Sequence, residues 1–285
     1  MKQLNKDTNI LIVGLGLMGG SYARALSKKG YKITAISDKK ESIEYGLKNG
    51  IIEKGFDCLN EKAIAEADII IFALYPKIFI KWIEENHSLI SDDAVITDIS
   101  GVKESVIYRV QKILGDRVHF ISSHPMAGRE RSGVEYSDES VFNGANYIVV
   151  PTEKNTDEEI SLCSKLGKEL GFERISVLTP KDHDSIIGFL SQLTHCIAVS
   201  LMTCNDNKNL KEYTGDSFRD LTRIAKINEE MWSELFIMNK KELIHHMDKF
   251  ISEFSYMKDM IEKENTDELK KLMRLSTERR SEFDK

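Results

Sequence analysis

The sequence has no excess of basic residues, no closely paired cysteines and no long apolar segment. Forty Lys and Arg residues against 46 Asp and Glu give a formal net charge of −6, whereas nucleic-acid binding needs a concentrated basic face. The four cysteines are too scattered for a CxxC pair or a zinc site. We therefore expect no nucleic-acid partner, no bound metal, and cysteines that stay reduced, as in a cytoplasmic protein.

Membrane and export signals are also missing from the sequence. Residues 1–9 are polar and lead directly into an apolar run, without the charged and apolar regions of a signal peptide. No apolar run approaches the length that spans a bilayer. These features predict a soluble protein that does not act at a membrane.

The first 180 residues alternate between short apolar runs and helical patterns. Two of the helical segments end at glycine, Gly30 and Gly50, as is common at helix C-termini. The predicted strands are 9–13, 31–36, 68–73, 94–97, 118–121, 147–150 and 175–178, and the predicted helices are 17–29, 41–48, 76–89, 102–113 and 156–170. This alternation predicts an α/β fold, with a Rossmann-type doubly wound parallel sheet in a domain of residues 1–179.

The pattern changes after Pro180. Residues 181–285 contain no strand-like run, no proline and only two glycines, Gly188 and Gly215. Their apolar spacing predicts helices at 181–206, 209–225, 228–262 and 265–282, so we assign residues 180–285 to an all-helical domain. Its apolar positions exceed what a short bundle needs, which favours a homodimer formed through this domain, although long helices also occur in monomers.

A glycine fingerprint lies between the first predicted strand and the first predicted helix. Gly14, Gly16 and Gly19 have the GxGxxG spacing of a dinucleotide-phosphate loop. The first glycine permits a tight turn, the second lets the backbone approach a pyrophosphate, and the third lets helix and strand pack closely. The helix start at Leu17 and Met18 then offers N–H groups to the anion. We predict a cofactor site; the alternative is a glycine turn that only joins strand to helix.

Asp38 follows the second predicted strand, 24 residues after Gly14. A carboxylate at this position accepts hydrogen bonds from the adenosine ribose hydroxyls and repels a 2′-phosphate, which favours NAD over NADP. Lys39 and Lys40 weaken the argument, because they can pair with a phosphate. The alternative is an ordinary turn aspartate.

We predict that His124 lies at the end of the apolar strand at 118–121, just before a proline and several small residues. On the cofactor side of a sheet, an imidazole can accept a proton from a substrate hydroxyl as a hydride leaves. The alternative is a buried histidine bonded to the backbone. We predict that His124 is the acid/base residue of a redox enzyme.

Three further segments accompany the glycine fingerprint in a fixed order. The first reads His-Pro-Met-Ala-Gly-Arg-Glu-x-x-Gly from His124; the second is the His-Asp pair at His183, followed by Ser-Gln-Leu-Thr-His ending at His195; the third is Gly-Asp-Ser-Phe-Arg-Asp-Leu-Thr-Arg-Ile-Ala from Gly215. Together, over about residues 10–239, they resemble the prephenate dehydrogenase family of tyrosine biosynthesis. The resemblance implies a Rossmann domain, a helical dimerisation domain and NAD-dependent oxidative decarboxylation of prephenate to 4-hydroxyphenylpyruvate.

The candidate substrate ligands lie mainly in the helical half. Arg219 and Arg223 are four residues apart, hence on one face of a predicted helix, and a guanidinium binds a carboxylate bidentately. The alternative for them is a solvated face with ordinary ion pairs. His183 and His195 can reach a common cleft, or each can be a packed helix histidine. The family resemblance adds Glu130 as a gate that pairs with one arginine.

The segment after the strand at 94–97 departs from the family pattern. The family has Asp-x-Gly-Ser-x-Lys, whereas this chain has Asp-Ile-Ser-Gly-Val-Lys at 98–103. A catalytic serine hydroxyl is therefore implied only if Ser100 replaces the displaced serine. Gln192 and Thr194 stand where the family often has histidine and proline, and neither change removes His195.

Three other functions stay open at this point. Arogenate dehydrogenase differs only in an amino group on the substrate side chain. Another two-domain hydroxy-acid dehydrogenase is less favoured, because the helical half has no motif matching the acid/base lysine typical of such enzymes. A non-catalytic NAD sensor is opposed by the presence of His124, Arg219 and Arg223.

Overall fold

The nucleotide-binding half is built on a six-stranded parallel sheet. The computed structural model describes residues 2–128 and 131–284. The strands are β1 Ile10–Val13, β2 Ile33–Ile36, β3 Lys54–Phe56, β4 Ile69–Phe72, β5 Val95–Asp98 and β6 His119–Phe120. Their order is β3-β2-β1-β4-β5-β6, so the winding reverses between β1 and β4. The predicted doubly wound sheet is confirmed, and the short strand β3 is an addition to it.

Helices cover both faces of this sheet. They are α1 Leu17–Lys28, α2 Lys40–Lys48, α3 Glu61–Ala65, α4 Pro76–Asn86, α5 Glu104–Leu114 and α6 Asp157–Leu170. Every residue of β1 and of β4 is buried, as expected of parallel strands covered on both sides. Ile10 and Ile12 pack with residues of α1 and α6, whereas Leu11 and Val13 pack with residues of α4 and α5. Strand alternation thus divides the core into two layers.

A second sheet of three strands follows the first. It consists of β7 Ser122–Met126, β8 Asn146–Val150 and β9 Arg174–Val177, with β7 antiparallel to β8 and β8 parallel to β9. The predicted strands 147–150 and 175–178 therefore lie in this separate mixed sheet, because the chain leaves the first sheet after Phe120. His124 lies in the middle of β7, opposite Ile148, and not at the end of the preceding strand.

The helical half begins at Pro180, where the Thr179 hydroxyl accepts the N–H of Asp182. It contains α7 Pro180–Ile187, a π-helical turn Gly188–Leu193, α8 Thr194–Thr203, α9 Leu210–Tyr213, α10 Asp216–Thr222, α11 Glu229–Met238, α12 Lys240–Glu262 and α13 Thr266–Ser281. Residues 180–284 contain no strand, as predicted. The predicted helix 228–262 is broken at Asn239, whose side chain donates to Asp184 O and Gln192 Oε1, each at 2.8 Å.

The helical stretch Pro180–Thr203 is long and apolar enough to cross a membrane, judged by length and composition alone. This corrects the expectation that no run approaches that length. A single such helix is weak evidence for a membrane span, and this one carries the fully buried polar side chains of His183 and Asp184. We interpret its apolar surface as a packing surface of the helical half.

Helix α11 docks the helical half onto the first sheet. Leu235 joins the apolar layer that contains β4 and β5 residues, and its side chain lies 3.6 Å from the position of a Cβ on Gly101. Glu234 Oε1 accepts the N–H of Lys77 at the start of α4, at 2.6 Å. The helical half therefore closes over the carboxyl ends of β4 and β5, the edge at which open α/β sheets bind ligands.

Candidate active site

The glycine fingerprint forms the turn from β1 into α1. Gly14 has a φ of +97°, and a Cβ there would lie 2.5 Å from a backbone oxygen after β4. A Cβ on Gly19 would lie 1.9 Å from the oxygen of Gly14, so helix and turn pack too closely for a side chain. A Cβ on Gly16 meets no atom within 4 Å, so the backbone faces open space there. No described side chain caps α1, and the N–H groups at Leu17 and Met18 suit a phosphate.

Asp38 is exposed just beyond the carboxyl end of β2. The N–H of Gly14 donates to Ile36 O at 2.8 Å, which holds the glycine turn beside that strand end. Lys39 and Lys40 are exposed as well. The turn and the carboxylate thus fit the pyrophosphate and the ribose of a dinucleotide, respectively.

A line of hydrogen bonds joins His124 to the helical half. His124 Nδ1 lies 2.9 Å from His183 Nε2, and His183 Nδ1 lies 2.7 Å from Asp184 Oδ1. His183 and Asp184 are buried, whereas His124 is partly exposed. Asp184 Oδ1 and Oδ2 also accept the main-chain N–H groups of Lys103 and Glu104, each at 2.8 Å. The strand β7, the start of α5 and the helix α7 therefore meet at one carboxylate.

These bonds determine which ring nitrogens carry protons. Asp184 accepts two main-chain N–H groups, so it is an acceptor and His183 Nδ1 donates to it. A neutral His183 then has an unprotonated Nε2, which accepts from His124 Nδ1. His124 Nε2 is consequently the unprotonated nitrogen, and it lies 3.8 Å from the position of a Cβ on Gly101, just after β5. The sheet edge therefore presents an oriented proton acceptor.

Burial sets the charges along this line of residues. Burial, with His183 and Lys103 nearby, lowers the pKa of His124 well below the usual 6.5. Burial and the charge of Lys103 lower the pKa of His183 to about 3. Burial raises the pKa of Asp184 to about 6, against the opposing effect of the two main-chain N–H bonds. At neutral pH both rings are uncharged and the carboxylate is ionised, as the proton positions require.

An ion pair lies buried behind β7. Lys103 is fully buried, and its Nζ lies 3.0 Å from Asp98 Oδ2 and 2.7 Å from Ser123 O. Asp98 also accepts hydrogen bonds from the hydroxyls of Ser122 and Ser100. Both charged groups are therefore fully hydrogen-bonded, the condition under which proteins tolerate buried charges.

Ser100 belongs to this ion-pair network. Its hydroxyl is buried, donates to Asp98, and lies 3.0 Å from Val102 O. The structure thus places it among the polar groups behind β7, whereas Gly101, which stands where the family pattern has serine, is the residue that borders His124 Nε2. The exchange of serine and glycine moves the hydroxyl away from the proton acceptor.

His195 stacks on Trp232, one of two tryptophans in the chain. The ring centroids are 3.7 Å apart, with an interplanar angle of 30°. His195 Nδ1 lies 2.8 Å from Ser191 O, so this nitrogen is the donor. The pair joins α8 to α11 and provides an aromatic surface in the helical half.

The two candidate arginines do not share a continuous helix. Helix α10 ends at Thr222, and Arg223 begins a 3₁₀ turn, Arg223–Ala225. Arg219 is exposed, and its guanidinium lies 3.5 Å from the carboxylate of Asp216. This is the ordinary surface ion pair given above as the alternative to substrate binding. Arg223 is also exposed, in the segment that leads into α11.

Glu130, the predicted gate, lies outside the described residues, as does Arg129. In the part of the chain that the structure describes, no group of three or more His, Cys, Asp and Glu side chains is placed to hold a metal ion. The cysteines there are free thiols, and burial raises the pKa of Cys163 to about 11.

The sequence prediction missed Asp98, Lys103, Asp184 and Trp232 as functional residues. Lys103 and Asp98 were visible as the ends of one short segment, and Asp184 as the second residue of a His-Asp pair. Their connection was not visible, because Lys103 and Asp184 are 81 residues apart in the chain. Trp232 had only its rarity as a signal.

The site combines a glycine turn suited to a pyrophosphate with a neutral histidine at the sheet edge. The helical half closes over this edge. These features define a two-domain dinucleotide-dependent oxidoreductase. Comparison with known proteins makes this class specific. A family model described as "Prephenate dehydrogenase, nucleotide-binding domain" matches residues 22–183, and one described as "Prephenate dehydrogenase, dimerization domain" matches residues 179–275. The chain belongs to the prephenate dehydrogenase family, as the sequence resemblance predicted.

Individual relatives agree with this assignment over most of the chain. Prephenate dehydrogenase of Bacillus subtilis is 31% identical over 271 residues, which cover 93% of this chain and 72% of the relative. Cyclohexadienyl dehydrogenase of Zymomonas mobilis is 26% identical over 268 residues, which cover 92% and 91%. The crystal structure of A. aeolicus prephenate dehydrogenase in complex with hydroxyphenyl propionate and NAD+ has a TM-score of 0.89 at 30% identity and covers 99% of this chain and 100% of that one.

Proposed function

We propose that this protein catalyses the NAD-dependent oxidative decarboxylation of prephenate to 4-hydroxyphenylpyruvate, a step of tyrosine biosynthesis. The observation that carries the proposal is the unprotonated Nε2 of His124 at the carboxyl end of β5, in a chain of this family. Prephenate has a ring hydroxyl for this nitrogen to bind, and two carboxylates for cationic side chains.

The cofactor site consists of the glycine turn and Asp38. The N–H groups at the start of α1, around Gly16, Leu17 and Met18, bind the pyrophosphate, and Asp38 binds the ribose. NAD, when bound, supplies the acceptor for the hydride that leaves C4 of the substrate ring. The NAD+ in the A. aeolicus complex supports this choice, and a 2′-phosphate would be repelled by the carboxylate.

His124 polarises the ring hydroxyl of the substrate. As the C4 hydride leaves, the ring oxygen gains carbonyl character, and its proton shifts toward His124 Nε2. His183 and Asp184 do not contact substrate in this scheme; they hold the imidazole in the tautomer whose Nε2 is an acceptor. We therefore assign His183 to orientation and not to substrate binding, because both its ring nitrogens bond within the protein.

The overall reaction releases no proton. A prephenate dianion that loses a hydride and carbon dioxide becomes the 4-hydroxyphenylpyruvate monoanion, and the ring oxygen still carries its hydrogen. The electron pair of the broken ring–carboxylate bond completes the aromatic ring. The proton shared with His124 returns to the phenol oxygen. A base with a depressed pKa suits this chemistry, because it never has to keep the proton.

The helical half supplies the substrate's other contacts. We assign one carboxylate to Arg223, because a dianion drawn partly out of water needs a charged and geometrically matched partner. The stacked rings of His195 and Trp232 form an aromatic wall for the substrate ring. Arg219 adds positive charge at the rim, and Glu130, by the family resemblance, gates access by pairing with an arginine.

Arogenate dehydrogenase activity is the second candidate. Arogenate has the same ring and an amino group in place of the side-chain ketone, so every assignment above applies to it. The similarity to a cyclohexadienyl dehydrogenase favours this alternative, because that name refers to the ring that prephenate and arogenate share and does not specify the side chain.

Steady-state turnover tests both candidates. Purified protein is mixed with prephenate or arogenate and with NAD or NADP, and the appearance of reduced nicotinamide is followed. We expect the highest kcat/KM with prephenate and NAD, and a loss of on the order of a hundredfold or more in kcat for His124→Asn. Binding of NAD without turnover of either substrate would contradict the proposal and indicate a nucleotide sensor.

We further propose that the protein is a cytoplasmic homodimer formed through the helical half. The match to a dimerization domain supports this, as do the exposed apolar side chains on α12, where Phe254 is 65% exposed. Light scattering should give twice the chain mass of 32.5 kDa. Phe254→Asp should raise the dimer dissociation constant, whereas Asp248→Asn on the same helix should leave it unchanged.

A further inference from the structure

We infer that Lys103, which does not reach the cleft, is a positioning residue for His124. It holds the imidazole as a neutral acceptor, and it joins the two halves of the molecule at the proton acceptor. This inference rests on the proposed role of His124 in the reaction.

The first contact is made by the ammonium group beneath β7. Lys103 Nζ lies 2.7 Å from Ser123 O, the carbonyl immediately before His124. It lies 3.0 Å from Asp98 Oδ2 and 3.4 Å from Ser100 Oγ. Three acceptors surround a group with three donors, so the positive charge is fixed in place one residue from the imidazole.

The second contact is made by the main chain of the same residue. The N–H of Lys103 donates to Asp184 Oδ1 at 2.8 Å, and that oxygen also accepts the proton of His183 Nδ1. Lys103 therefore contacts Asp184 at one end of the hydrogen-bond line and, at the other end, the carbonyl that immediately precedes His124. A displacement of Lys103 would move the strand that carries the base and the carboxylate that sets its tautomer.

The charge of Lys103 also bears on the strength of the base. Among the residues that the structure describes, the charged and titratable groups around His124 are Lys103 and Asp98 from the nucleotide-binding half and His183 and Asp184 from α7. Burial lowers the pKa of His124 most, and His183 and Lys103 lower it further. A lower pKa keeps the ring of His124 neutral, and so able to accept the hydroxyl proton, down to a lower pH. The lysine thus keeps His124 a hydrogen-bond acceptor throughout the reaction.

The pH dependence of kcat tests this role. In Lys103→Met, the acid limb of the profile should move to higher pH by about one unit or more, because a nearby positive charge is lost. The affinity for NAD should change little. Lys103→Arg keeps the charge and should restore the position of the limb, at a lower kcat. Lys112→Met, at an exposed lysine of the same helix α5, is the matched control and should leave the profile unchanged.

A second measurement does not depend on turnover. NMR titration of the His124 ring in substrate-free protein, assigned with His124→Asn, should show the same upward shift in Lys103→Met. If burial of an unpaired Asp98 prevents that variant from folding, Lys103→Gln combined with Asp98→Asn keeps hydrogen-bonding groups and removes both charges. It should show a smaller upward shift of the His124 pKa, because loss of the Asp98 carboxylate partly opposes the effect of losing the lysine charge.

The two possible failures are distinguishable. If the unmutated protein turns over neither prephenate nor arogenate, the proposed function is wrong, and the NMR titration still reports on the role of Lys103. If a folded Lys103 variant loses melting temperature but keeps the wild-type acid limb and the wild-type His124 titration, the lysine is only structural, and the inference is overturned.

Discussion

Replacement of Asp184 by asparagine changes one oxygen into an NH2 group at nearly constant size. In the protein, Oδ1 accepts from His183 and from the N–H of Lys103, and Oδ2 accepts from the N–H of Glu104. An amide has a single acceptor oxygen, so its NH2 group must face at least one main-chain N–H. Either orientation leaves one buried donor without an acceptor, at a cost of about 1–3 kcal/mol in unfolding free energy.

The two orientations differ in what they do to the histidines. With the amide NH2 toward Glu104, His183 keeps its proton on Nδ1 and the acceptor tautomer of His124 survives. With the NH2 toward His183, that ring becomes the acceptor and carries its proton on Nε2. His124 must then carry its own proton on Nε2, which leaves no acceptor for the substrate hydroxyl. Both orientations keep three hydrogen bonds, but only the second gives the amide NH2 group an acceptor and so leaves fewer donors unpaired. We therefore expect the inactive tautomer to dominate.

The assay separates catalysis from folding and binding. We expect Asp184→Asn to lower kcat by about 10²- to 10⁴-fold, the usual contribution of a positioned acid/base group, with NAD affinity unchanged by calorimetry. Asp182→Asn, at an exposed carboxylate on the same helix, is the control. A folded Asp184→Asn protein with kcat within about twofold of wild type would refute the tautomer assignment.

Three further changes have distinct readouts. Asp38→Ala should lower the ratio of kcat/KM with NAD to kcat/KM with NADP. Equal kcat/KM with the two cofactors in the unmutated protein would contradict the assignment of Asp38 to the ribose. Arg223→Ala should raise the KM for prephenate by roughly ten- to a thousandfold, because about 1.5–4 kcal/mol of charge-assisted bonding is lost, and Arg223→Lys should restore part of it. An equal loss of affinity for NAD would mean that Arg223 has a structural role. Folding lowers the pKa of His124 below the 6.5 expected in the unfolded chain, so protonation of this ring destabilises the folded state. The contribution of His124 to the unfolding free energy is therefore complete above pH 6.5 and is lost as the pH falls below it. Between pH 7 and 5.5, His124→Asn should therefore lose about 1 kcal/mol less unfolding free energy than wild type; Asp184, whose pKa is raised, opposes the loss equally in both proteins.

The glycine turn could be predicted from the sequence because its geometry is local. The φ of Gly14 and the contact of Gly19 with the Gly14 oxygen depend on residues a few positions apart. The buried strands β1 and β4 are likewise continuous apolar runs with glycine or alanine after them. Short-range sterics and burial therefore determine this part of the fold.

The rest of the site depends on contacts between distant segments. Nothing near His124 in the sequence indicates that Asp184 will set its tautomer, because the link passes through His183 and the start of α5. The helix break at Asn239 has the same origin, since hydrogen bonds to Gln192 and to the Asp184 carbonyl override an unbroken helical pattern. Local periodicity carries no information on such contacts.

The hydrogen-bond line from β7 to α7 has a consequence for how the protein is made. A nascent chain synthesised only to Thr179 contains the glycine turn, Asp38 and His124, but neither His183 nor Asp184. In such an intermediate, no partner from α7 holds the imidazole of His124 in one tautomer. The tautomer of His124 is therefore set only after the helical half has been synthesised and has docked on β7.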